Sequence, residues 1–177
     1  MGCLLLFLLL FVAHSGWAQQ YVIPEIPDTI ADPVERADYA VARFWDGFDF
    51  SDTTLLRSDC AEQALVDFLE LLRHASPEGR AVGIERCLAG ARREERAFAY
   101  FTDEARRYLY DPDSPLYDEE LYQDVLQVLL KDTADVARTT RWRLQQRLLG
   151  SNRVGRVATD FRYLRSGGQE STLLATA

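Results

Sequence analysis

Between residues 108 and 122 the chain reads Tyr-Leu-Tyr-Asp-Pro-Asp-Ser-Pro-Leu-Tyr-Asp-Glu-Glu-Leu-Tyr. Two prolines three positions apart each fix φ and remove an amide donor, so no helix passes through this stretch. The residue before each proline is pushed toward extended backbone. Apolar residues at helical spacing lie on both sides, so the stretch reads as a corner joining two helices. Pro112 and Pro115 stop the first helix. Asp118, Glu119 and Glu120 sit where acids are favoured at the start of the second. Asp111 and Asp113 suit Asx-type turns. These carboxylates include candidates for a general acid–base pair, but turn and capping roles account for them better.

Outward from the corner the period is helical. Asp32-Pro33 supplies an N-cap followed by proline at the first helical position. That helix is expected to reach about Trp45, with Ala37, Ala40, Val41 and Phe44 on one face and Gly47 at its end. Ser58 or Asp59 starts a second helix, to about Ala75, with Ala61, Ala64, Leu65, Phe68, Leu71 and Leu72 as its stripe. Ser76-Pro77 repeats the cap-plus-proline signal for a third, with Ala81, Ile84, Leu88 and Ala91 inward. A fourth begins near Arg93-Glu94 and carries Ala97, Phe98, Phe101, Ala105 and Tyr108. Leu121, Val125, Val128 and Leu129 define a fifth. Thr133 is the expected cap of a sixth, with Ala134, Ala137, Arg141, Leu144 and Leu148 on its inner face and Gly150 at its end. From Asn152 the period changes: residues 157–164 alternate, Gly167-Gly168 supplies a turn, and residues 171–176 form a second candidate strand. The expected fold is all-α, a six-helix bundle or array over residues 32–151, followed by a β-hairpin within 152–177. A chain of 177 residues is long enough for one such core.

Residues 1–18 read as a secretory signal peptide: an apolar run, then Gly16 and Ala18 at the −3 and −1 positions of a cleavage site after Ala18. Its leading segment holds no Lys or Arg. The run is short of the ~20 apolar residues that span a bilayer, so no stable membrane insertion is expected after cleavage. Residues 19–31, with Pro24 and Pro27, form an extended leader. The expected location is the periplasm or the exterior.

Two cysteines remain after cleavage, Cys60 and Cys87. Export favours a disulfide, but geometry opposes one. In an antiparallel hairpin turning near Ser76-Pro77, Cys60 falls level with about residue 92. At ~1.5 Å per residue and an axis separation of ~8–10 Å, the two Cα atoms lie ~11 Å apart, whereas a disulfide tolerates ~7 Å. Two buried free thiols are expected.

No signature of a metal site, phosphate loop, nucleophile or dithiol motif stands in the sequence, so no catalytic residue, cofactor or metal is assigned. His74 is a lone histidine. The aromatic run Phe44-Trp45-Asp46-Gly47-Phe48-Asp49-Phe50 is a pocket for a ring-shaped ligand on one reading and a helix end pinned to the core on the other, which is preferred. The net charge of −8 excludes nucleic acid as the default partner. Arg138, Arg141, Arg143, Arg147, Arg153, Arg156, Arg162 and Arg165 nonetheless cluster near the end, opposed only by Asp160. They form either a docking surface for an acidic partner or adjacent domain, or a face complemented by the chain's own acids, Arg138 or Arg141 meeting Asp111 or Asp113.

The stretch Tyr110-Asp111-Pro112-x-Ser114-Pro115, with Glu120 and Tyr122 after it, resembles a helical domain of unknown function found in exported bacterial proteins ahead of thioredoxin-like domains. Phe44, Trp45, Asp46, Phe48, Asp49 and Phe50 are similar to that family's first block. The tail, with Asn152, Gly155, Ala158, Asp160, Phe161, Gly167-Gly168 and Leu173, resembles the opening hairpin of periplasmic thioredoxin-like proteins of the resazurin and cytochrome-maturation type. The resemblance covers about residues 22–177. It implies an accessory or interaction module of a thiol–disulfide oxidoreductase, truncated here before the thioredoxin core and therefore not itself an enzyme, with a protein partner or adjacent thioredoxin-like domain. Two other readings stand beside it: part of a redox enzyme whose active site lies beyond residue 177, and a helical module binding glycan or peptide.

Overall fold

The computed structural model describes residues 24–131, 135–151 and 160–172. In these residues six α-helices precede a two-stranded antiparallel hairpin. They are α1 (Pro33–Arg43), α2 (Asp59–Leu72), α3 (Pro77–Ala91), α4 (Glu95–Tyr110), α5 (Glu119–Leu129), α6 (Val136–Ser151), β1 (Arg162–Leu164) and β2 (Glu170–Thr172). The expected signal peptide, residues 19–23 of the leader, and Thr133 and Ala134 lie outside the described residues.

The caps explain most helix starts. Asp32 Oδ1 accepts from the N–H groups of Val34 and Glu35 at 2.9 and 3.0 Å, satisfying two donors that the first turn leaves unpaired. Ser76 Oγ does the same for Gly79 N–H at 3.0 Å, and Asp118 Oδ1 for Leu121 N–H at 2.9 Å. At α2 the capping position belongs to Ser58, but its hydroxyl donates to the Leu55 carbonyl at 2.6 Å instead. That carbonyl lies in a short 3-10 turn, Leu55–Arg57, which helical periodicity did not predict. Helix α1 ends at Arg43, two residues earlier than expected, which frees Phe44 and Trp45 to turn into the core.

Helices α1 and α3 approach closely because α3 presents glycines: Gly79 faces Asp38 and Gly83 faces Val41 of α1. A Cβ added at Gly83 would already meet Val41 at 3.0 Å. The core continues through Leu65, Phe68 and Leu72 of α2, Phe101 and Leu109 of α4, and Leu126 and Leu129 of α5. It is one contiguous cluster from α1 to α6, and the described residues of the hairpin contribute nothing to it.

Helix α6 corrects the expectation. The residues that face inward are Thr139, Trp142 and Leu149. Ala137, Arg141, Leu144 and Leu148, expected inside, are exposed. Trp142 decides the matter, since its ring meets Phe98 edge-on at 6.3 Å and buries more area than either leucine offers. The hairpin register pairs Tyr163 with Ser171, and its turn uses Gly167 and Gly168 at φ of 120° and 79°, a region that favours glycine. Strand β1 leaves out Asp160 and Phe161, which were expected in it, β2 begins at Glu170, and residues 157–159 and 173–176 lie outside the described residues.

Candidate functional site

The corner after α4 is built from its own side chains. Asp111 Oδ1 accepts from Asp113 N–H at 3.1 Å, and Ser114 Oγ from Leu116 N–H at 3.1 Å. Leu116 drops into the core, and Asp118 N–H closes the loop on the Leu109 carbonyl at 3.0 Å. Pro112 and Pro115 stay exposed. Tyr110 stacks on Tyr122 with centroids 5.0 Å apart and planes at 18°. The Tyr122 hydroxyl meets Gln145 Oε1 at 3.0 Å, and burial pushes the phenol up to about 12. Tyr108 donates to Glu62 at 2.5 Å; burial, then that bond, raise its phenol. The same bond, with Arg107, holds Glu62 below the usual carboxylate range.

A polar cleft of about 210 Å³ opens beside this corner, lined by Arg73, Arg80, Asp118, Glu120 and Leu121. Its guanidinium groups are engaged. Arg73 donates to the Leu116 carbonyl at 2.9 Å and faces Asp118 Oδ2 at 3.5 Å, while Arg80 donates to Asp124 at 2.7 Å. Asp118 thus spends one oxygen on the α5 cap and turns the other to Arg73. With two arginines against Asp118, Glu120 and Asp124, the cleft carries no excess positive charge to draw an anion. Its arrangement braces the corner against α2 and α3. Arg73 and Arg80 were not singled out by sequence, because their partners lie 43 and 44 residues away.

The aromatic block is packed on itself. The Trp45 ring lies 5.0 Å from Phe44, 5.1 Å from Phe48, 5.4 Å from Phe68 and 5.0 Å from Phe101, mostly edge to face. Phe50 fills the hollow over Gly90. The interleaved acids serve turns. Asp49 accepts from Ser51 through both N–H and Oγ, at 2.9 and 2.7 Å, and these bonds lower its carboxyl. Asp52 does the same for Thr54, and Asp46 faces Arg86 at 3.4 Å. In the tail, Asp160 and Phe161 are exposed, and Phe161 lies 6.1 Å from Tyr163.

Both cysteines are free, but only Cys87 is buried. Cys60 is exposed, contrary to expectation, because the buried stripe of α2 begins one residue later at Ala61. Burial pushes the Cys87 thiol well up, which suppresses the reactive thiolate. Iodoacetamide should therefore add once to the native chain lacking residues 1–18, at Cys60, and reach Cys87 only after unfolding. Intact mass reads this directly; two adducts under native conditions would contradict the packing around Cys87.

His74 is exposed. Among the described residues no three His, Cys, Asp or Glu side chains are grouped to hold a metal ion, and no helix is long and apolar enough to cross a membrane. The arginines pair differently from expectation. Arg138 meets Glu95 and Asp135, and Arg141 approaches Asp103 at 3.7 Å, rather than Asp111 or Asp113. The corner acids are already committed to turns and lie on a different connection.

Residues 12–150 match the family described as "Domain of unknown function (DUF5106)". Among solved structures, a thioredoxin-like protein from Bacteroides caccae ATCC 43185 aligns over 86% of this chain, with a TM-score of 0.71 and 31% sequence identity. The chain spans 56% of that protein's length. No curated protein matches it.

Proposed function

This chain belongs to the DUF5106 family, and from that premise we propose that it is an exported, non-catalytic accessory domain of a periplasmic thioredoxin-like thiol–disulfide oxidoreductase. One observation carries the reading: it shares most of its length with a thioredoxin-like protein of which it spans little more than half. The helical part would precede the redox part, and the hairpin would open the thioredoxin-like sheet. The site geometry supports an accessory role. The corner acids serve turns, caps and struts, the aromatic block fills itself, and Cys87 is buried. Thioredoxin chemistry uses paired thiols, whereas Cys60 and Cys87 are placed in different environments.

Insulin reduction driven by dithiothreitol tests this. The purified chain should not accelerate insulin precipitation above buffer. Turnover above buffer, lost in Cys60→Ser, would replace the accessory reading with an enzymatic one.

A further inference from the structure

Helix α6 carries apolar side chains on two opposite faces. Thr139, Trp142 and Leu149 pack inward. Ala137, Leu144 and Leu148 fall on the opposite side at helical spacing, and Leu144 and Leu148 are 50% and 49% exposed. Arg141 flanks this ridge on one side, Arg143 and Arg147 on the other. Arg141 reaches Asp103 only at 3.7 Å, and the Arg143 and Arg147 side chains make no ion pair among the described residues. The helix has four arginines and no acid, in a chain of net charge −8. Covering the exposed halves of these two leucines would take apolar area out of water, and the arginines frame the ridge for a partner.

We infer that this ridge docks the thioredoxin-like partner domain, which presents an apolar patch bordered by carboxylates. The inference rests on the accessory-domain reading and adds the surface to it. Arg143 and Arg147, without an ion pair among the described residues, favour an acidic rim on the partner. Helix α6 is also the helix next to the hairpin, whose sequence resembles the opening of a thioredoxin-like sheet. A domain continuing from that hairpin is held close to α6 at high effective concentration. A second copy fits less well. A second copy pairing through the same ridge would set Arg143 and Arg147 against their own copies, a like-charge contact.

Calorimetric titration tests the surface. The probe is the thioredoxin-like part of the Bacteroides caccae protein, prepared with its opening hairpin and shown to melt cooperatively. The wild-type chain should bind it saturably, and more weakly as salt rises. Leu144→Asp with Leu148→Asp should weaken binding by about tenfold or more. Arg143→Glu with Arg147→Glu should do likewise and flatten the salt dependence, which guards against misfolding of the leucine variant. Val82→Asp, on an exposed site of α3, should bind as wild type. Wild-type binding that the ridge variants leave unchanged overturns the surface and spares the accessory reading. No wild-type binding overturns both. Self-association in sedimentation that the ridge variants abolish assigns the ridge to a second copy instead.

Discussion

Replacing Trp45 with alanine is expected to lower the unfolding free energy by about 3–5 kcal/mol, the largest loss from any single truncation in this core. Trp45 is 5% exposed and touches five rings, those of Phe44, Phe48, Phe50, Phe68 and Phe101. Each neighbour is held by the others: Phe48 lies 4.9 Å from Phe50, and Phe50 5.3 Å from Phe101. The hole left by the indole therefore cannot collapse cheaply. Edge-to-face pairs add about 0.5–1.5 kcal/mol each beyond buried area, though not additively within one cluster. Against the 5–15 kcal/mol typical of a domain, roughly, such a loss brings the chain near its folding threshold. Urea unfolding followed by circular dichroism reads the change. A loss below about 1 kcal/mol would mean a loosely held surface patch, and would return the block to the reading of a ligand pocket.

Gly79→Ala is expected to destabilise by about 2–4 kcal/mol, although alanine in an ordinary helix gains about 1 kcal/mol over glycine. The reason is a strut between α1 and α3. Asp38 accepts from Ser76 through N–H at 2.8 Å and Oγ at 2.7 Å, and Ser76 Oγ accepts from Gly79 N–H at 3.0 Å. A Cβ at Gly79 would fall onto the Asp38 carboxylate and meet its Cβ at 3.1 Å. The carboxylate must leave, and hydrogen bonds to a charged group contribute about 1.5–3 kcal/mol each. Removing that carboxylate first reverses the sign. In an Asp38→Ala background, Gly79→Ala should be neutral or stabilising by up to about 1 kcal/mol. Equal losses in both backgrounds, by thermal melting, would show that the carboxylate is not the obstacle.

The helix starts were legible because caps are local. Asp32-Pro33, Ser76-Pro77 and Asp118 each place a carboxylate or hydroxyl within three residues of the amide it satisfies. The stripes of α2, α4 and α5 were legible because each helix has one apolar face. Helix α6 has two, and periodicity cannot say which one a neighbour covers. Leu144 and Leu148 match the helical period as well as Trp142 and Leu149 do; contact with Phe98 decides. The corner was recognisable as a corner from its prolines and acids. Its braces were not, because Arg73 and Arg80 act on residues more than forty positions away. The strut from Asp38 to Ser76 spans 38 residues and leaves no local pattern. Its one local trace is glycine at 79 and 83 inside a helix, a costly choice that signals close packing.

The proposed docking of α6 on a thioredoxin-like partner is tested most directly by hydrogen exchange on the chain. Amide exchange is followed with and without the thioredoxin-like part of the Bacteroides caccae protein, its opening hairpin included. Docking through α6 slows exchange over residues 136–151 and leaves the corner at 111–118 and the aromatic block at 44–50 unchanged. Unaltered exchange throughout the chain, or protection confined to the corner or the aromatic block, would contradict it.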